Sequence, residues 1–352
     1  MKKLLIFIIA AVIICSQCYA DEIRDVQDAV PDGARDIVGT TADIQDTQGF
    51  FERLFEAVKG SIRESSGGVI KKAAEVLAVS MLCALLGVFG GEKTPDYLPL
   101  CGCAAITMIC VSDINSYIRL GTDTINEISL FSKALLPAMC TLGAATGEVS
   151  SAAVKYAASA LFSDIFISLA QNIILPCIYA YLAVSIAAAA FNNSSLSGIA
   201  SLIKWIAKTL MTVLALSFTV YISLSSAIAS GGDAVLIKIA KTSISTFLPV
   251  VGGIVSDAAS SVIAGAQLIR NTVGVFGMIT VLSLCASPLV ITGFNYLVFK
   301  AASAGASAMN TGQIATLTGN IGTAFGMIVG LIGTCGIMMF ISIISCIRTV
   351  TG

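Results

Sequence analysis

Apolar runs long enough to cross a lipid bilayer recur along the whole chain, and no other feature limits its fold so severely. The longest reads LFSDIFISLAQNIILPCIYAYLAVSIAAAAF over residues 161–191. Others run from about Ala73 to Gly91, from Tyr97 to about Ser116, and over 205–230, 272–299 and 320–347. A helix needs about 20 apolar residues to span the hydrocarbon core, so six spanning helices are expected. Every backbone polar group in lipid must be paired within the segment, and the body is therefore expected to be all-α. Composition agrees: only 12% of the 352 residues are charged and 56% are apolar, against about a quarter charged in soluble domains.

The chain opens with Met1-Lys2-Lys3, a twelve-residue apolar stretch from Leu4 to Cys15, and Cys18-Tyr19-Ala20 ahead of Asp21-Glu22. A basic start, a core too short to span and small residues before an acidic pair read as a cleavable secretory signal over 1–20. Residues 21–68 then form an acidic extracytoplasmic segment; eleven acidic and five basic side chains fall in 21–64. It ends in an amphipathic stretch, with Phe51, Leu54, Phe55, Val58 and Ile62 at helical spacing. The remainder, 69–352, is the transmembrane domain. With the N-terminus outside, the 91–96, 192–204 and 300–319 loops are cytoplasmic. Lys93, Lys204, Lys208 and Lys300 then lie inside as the positive-inside rule asks, whereas Lys71 and Lys72 oppose it.

Histidine is absent, which removes the commonest general base and most zinc sites. Nine of the eleven cysteines follow the signal, mostly inside apolar runs, and read as small packing residues. No catalytic, metal-binding or cofactor-binding residue is assigned, no cofactor is implied, and no basic block suggests nucleic acid.

Two stretches of intermediate hydropathy, 117–160 and 233–271, each contain a Leu-Pro pair: Leu136-Pro137 and Leu248-Pro249. Pro137 and Pro249 are 112 positions apart, as are Pro176 and Pro288. This suggests an internal repeat over about 95–191 and 203–303. Each stretch is read as a Pro-broken re-entrant or interfacial helical hairpin, a form tolerated at membrane depth only inside protein or beside a wet cavity. In the second, Gly231-Gly232-Asp233 opens a helix and Pro249 to Gly253 breaks it. The next helix carries Asp257 near its start and Arg270 near its end. Pro137, Pro249, Gly252, Gly253, Asp257 and Arg270 are candidates for a polar path. For the two charges, pairing with the dipole of their own helix is the plainer reading. Pro176 is expected to kink its span. Gly326 and Gly330 in the last span read as a helix-packing pair.

One region carries a family resemblance. Lys204-Trp205, Gly231-Gly232-Asp233, Lys238 and Lys241 precede Phe247-Leu-Pro-Val-Val-Gly-Gly253 with Ser256-Asp257. Arg270-Asn271-Thr-Val-Gly274-Val-Phe-Gly277 follows. This stretch resembles the stage III sporulation protein AE family of endospore-forming bacteria, with Arg270 where the family commonly has Lys. The resemblance implies a multi-pass protein of the mother-cell membrane around the engulfed forespore. It also implies partners: other stage III membrane proteins, including ring-forming and ATPase components, in a transenvelope channel that supports late forespore gene expression. No catalytic residues come with it. The alternative from the residues alone is a stand-alone secondary transporter built on repeats and interrupted segments. An intramembrane enzyme is disfavoured by the missing chemistry.

Overall fold

Each apolar run folds as part of a helix, and most of these helices are far longer than the run itself. A computed structural model of the chain describes residues 24–38, 47–90, 97–146, 149–247 and 252–347, with the backbone course alone over 224–263. The signal region therefore lies outside the described residues. After a short α1 (Asp32–Val38) come α2 (Thr47–Gly90), α3 (Leu98–Ala145) and α4 (Val149–Leu169). A π-helical segment, Ala170–Ile174, joins α4 to α5 (Leu175–Ala190), followed by α6 (Ser194–Phe247), α7 (Gly252–Ala308) and α8 (Gly312–Ile347). No strand occurs among the described residues. Among the described residues six helices are long and apolar enough to cross a membrane: Gly49–Phe89, Leu98–Ala145, Ala152–Ala190, Ser194–Ser223, Ala264–Ala308 and Gly312–Ile347.

The continuity of these helices corrects several boundaries. The amphipathic stretch at 51–62 and the first span form one helix, α2, whose Ser61 hydroxyl lies 2.6 Å from that of Ser287 on α7. Phe51 and Phe55 stay exposed on its outer side. Pro137 does not break a hairpin; it sits inside α3, and the chain turns about ten residues later, after Thr146. Proline removes one i→i−4 bond, here the one to the carbonyl of Lys133, and the 48-residue helix on either side supplies all the others. Gly231-Gly232 likewise passes through α6 without a break. The second interruption does fall between Phe247 and Gly252, but Pro249 itself lies outside the described residues. Ahead of Pro176 the helix widens into the π segment instead of stopping. That widening accommodates a ring that would otherwise meet the carbonyl four residues back.

The expected loops at 192–204 and 300–319 shrink to tight turns. Asn192 and Asn310 adopt φ of 48° and 56°, the left-handed conformation that ends helices and that Asn tolerates best after Gly. The Asn193 side chain then accepts from the amides of Ser195 and Leu196 at 2.9 and 3.3 Å, capping α6.

The charge-free α8 is the centre of the bundle, packed most extensively on α7 and also against α3, α4, α5 and α6. Lipid tails are as apolar as Leu, so close packing holds such helices together in place of the hydrophobic effect. Glycines on α8 permit it. A Cβ built at Gly322 would lie 3.3 Å from Phe299 Cβ and 3.5 Å from the Tyr296 carbonyl, and one at Gly326 would lie 3.0 Å from the Tyr296 ring. Gly330 faces Met211 of α6. Both members of the Gly326/Gly330 pair thus face neighbours within the bundle. On the outer side, Lys72 of α2 pairs with Asp113 of α3.

Candidate functional site at the α3–α4 hairpin

Arg270 is the largest fully buried side chain, 1% exposed. It does not end a helix, since α7 continues to Ala308, so the dipole it meets is not its own. The guanidinium donates to the carbonyl of Cys346, in the last turn of α8, and at 3.3 Å to the hydroxyl of Thr146, which caps α3. Two helix ends, each with the partial negative charge of its C-terminal carbonyls, therefore converge on one cation. Thr146 also donates its hydroxyl to the Gly143 carbonyl at 2.7 Å. A Cβ at Gly143 would stand only 2.8 Å from the Cβ of Ala152 on α4 and 3.8 Å from Arg270 Cζ. Glycine at 143 is what lets α3 and α4 close on each other beside the buried arginine.

Further along, the same two helices are pinned again. Gln171 of the π segment donates to the side-chain oxygen of Asn126 on α3 at 2.8 Å. Between these pins α3 and α4 stand apart around a cavity of about 190 Å³. Ser129, Ser132 and Lys133 line it from α3; Tyr156, Ser163 and Asp164 line it from α4. A smaller recess shares the three serines and reaches Phe166 and the Cys335, Met338 and Met339 side chains of α8. The result is a polar crevice with charged groups at its rim and an apolar floor. Ion pairs among the described residues join Arg35 to Asp32, Lys59 to Glu56 and Lys72 to Asp113, so Lys133 and Asp164 are not paired with one another.

The other residues singled out in the sequence are dispersed. Pro137 follows Leu136, which lines the crevice. Gly252 and Gly253 are the first residues of α7, and Asp257 lies on its first turns with its side chain outside the described set. The stretch 117–160 stands out by its scattered charges, but that Lys133 and Asp164 line one cavity is not visible in the sequence: it depends on where α4 begins. Among the described residues no cluster of three His, Cys, Asp or Glu side chains is placed to hold a metal ion.

An all-helical bundle with six membrane-length apolar helices and a polar crevice inside one helical hairpin defines a multi-pass membrane-type protein. The pattern of the stage III sporulation protein AE family matches residues 38–349, and the chain belongs to that family. A stage III sporulation protein AE from Bacillus subtilis (strain 168) is 25% identical over 238 residues, covering 68% of this chain and 60% of that relative's length. No solved structure matches. Membership implies a role in sporulation.

Proposed function

We propose that the chain is a non-enzymatic component of a transenvelope assembly that links mother cell and forespore and sustains late forespore gene expression. The observation that carries this reading is the family match, which extends from residue 38 to 349 and so takes in all six apolar helices. The protein would sit in the mother-cell membrane around the forespore with its acidic N-terminal segment in the space between the membranes. There it would meet ring-forming and ATPase partners among the other stage III proteins. The turns near 191–193 and 309–311 would then be cytoplasmic, as would residues 91–96. Lys204, Lys208 and Lys300 lie toward those turns, in the sense the positive-inside rule favours.

Deletion of the gene in its sporulating host is expected to arrest development after engulfment and to silence reporters of late forespore transcription. Wild-type yields of heat-resistant spores from the deletion strain would overturn the proposal. Complementation with a copy tagged after residue 352 should restore them.

A further inference from the structure

The crevice between α3 and α4 is built like a binding site, and its chemistry defines what it would take. Six of its eight lining side chains are polar: three serine hydroxyls, a phenol, an ammonium and a carboxylate. Lys133 and Asp164 bring opposite charges to one cavity from two different helices without pairing to each other. Ser132 is 4% exposed and Ser129 9%. On the same face of α4, between Tyr156 and Ser163, Ser159 is fully buried with a hydroxyl that has no partner among the described residues. The volume, about 190 Å³, is below the roughly 300–1,000 Å³ of pockets for drug-sized ligands and well above the ~10–15 Å³ that one water requires. The helices are pinned together on either side of the cavity, by the Gly143–Ala152 approach at one end and the Asn126–Gln171 bond at the other. A π segment at the second pin is a further departure from regular helix, of the kind frequent at functional sites.

We propose that this cavity binds a small zwitterion, with its carboxylate or phosphate on Lys133, its ammonium on Asp164, and any short apolar group toward Phe166 and Met338. A single molecule carrying both charges satisfies both side chains with charge-assisted hydrogen bonds, and the serine hydroxyls complete its polar shell. Water would hydrate the rim but leave each charge without a counter-ion. An ion of one sign would serve one side chain and oppose the other. Free amino acids and the headgroup of phosphatidylethanolamine share this chemistry. The inference stands apart from the role in the sporulation assembly, and its test does not require sporulating cells.

The test uses the full-length protein purified in detergent. Glycine, L-alanine and L-serine are titrated by calorimetry, with acetate and ethanolamine as single-charge controls. In parallel, nanodiscs of phosphatidylglycerol with and without phosphatidylethanolamine are analysed by native mass spectrometry for retained lipid. Saturable binding of a free amino acid, or selective retention of phosphatidylethanolamine, identifies the source. In either arm Lys133→Met and Asp164→Asn should each weaken binding roughly ten- to hundredfold, and the single-charge controls should bind far less. The double exchange Lys133→Asp with Asp164→Lys keeps both charges on the cavity and should recover most of the loss, which separates recognition from misfolding. No binding in either arm, or binding that both single substitutions leave unchanged, would overturn the proposal.

Discussion

Replacing Arg270 by Met removes the guanidinium and keeps much of the side-chain length, so the space left by the substitution is small. Two effects remain. The Cys346 carbonyl, at the buried end of α8, loses its donor, and an orphaned buried acceptor costs about 1–3 kcal/mol. The attraction of a cation for two convergent helix C-termini also disappears, worth about 0.3–2 kcal/mol. The 3.3 Å contact to Thr146 is long and adds little, because that hydroxyl retains its bond to Gly143. Escape from burying a charge offsets part of the loss. The expected net destabilisation is therefore about 2 kcal/mol, concentrated where α3, α7 and α8 meet. Cys346 reports on that place directly, being 5% exposed. In a variant whose other cysteines are replaced by Ala or Ser, a thiol-reactive fluorophore should label Cys346 faster in Arg270→Met than in the parent. The thermal transition in detergent should also fall. Arg270→Lys should recover part of the loss, since an ammonium restores a cation and one donor but lacks the planar fork that reaches both acceptors. Equal labelling rates and equal transitions in the parent and Arg270→Met would refute the account of Arg270 as the cation joining two helix ends.

Gly143→Ala should destabilise by about 1–3 kcal/mol through overpacking against Ala152, and Ala152→Gly in the same chain should recover most of it in a thermal-shift assay. Removing the Asn126–Gln171 bond should cost only about 0.6 kcal/mol, as for other interhelical bonds between membrane helices; a double-mutant cycle with Ala at both positions reads this coupling. Lys72→Met should lower the detergent-solubilised transition by leaving Asp113 half-buried without its cation, and the exchange Lys72→Asp with Asp113→Lys should restore it, because the pair joins α2 to α3. Cys101 is exposed on the apolar start of α3. A charged maleimide should leave it unlabelled in intact membranes and label it after solubilisation in SDS.

The membrane-length helices and the all-helical class of the described residues were legible because each rests on a window of about 20 residues, and such a window is a local property. Helix ends were much less legible. Gly231-Gly232 and Pro137 look like breaks in the sequence, yet each carries only a local penalty, about 1 kcal/mol for a helical Gly and about 3 for Pro. The flanking turns of the long helices α6 and α3 outweigh those penalties. Asn192 and Asn310 do end helices, because a left-handed residue must be accepted there and Asn accepts it at low cost. They are single residues in polar stretches, and nothing local distinguishes them from the neighbouring Asn193. Arg270 stands out in the sequence as a charge near a helix end, but its helix continues to Ala308 and the helix ends it meets belong to other helices. Its true acceptors, Thr146 and Cys346, stand 124 and 76 positions away, and no periodicity reports contacts at that separation.

The helix lengths explain why a charged crevice is compatible with so apolar a chain. At 1.5 Å per residue, the 48 residues of α3 extend for about 72 Å and the 57 of α7 for about 86 Å, against a hydrocarbon core of about 30 Å. More than half of each helix must therefore lie outside the hydrocarbon or be shielded from it by protein. On α3 the charges respect this division. Residues 98–112 carry none, whereas Asp113, Arg119, Asp123, Glu127 and Lys133 follow in sequence toward the α4 turn. In α8, the most covered of the membrane-length helices among the described residues, the 36 residues carry none at all. A helix packed mostly against other helices gains nothing from charge, while one at the edge of the bundle can present charge wherever lipid does not cover it. The α3–α4 hairpin is such an edge element, and it is where Lys133 and Asp164 line a shared cavity above the apolar floor provided by α8.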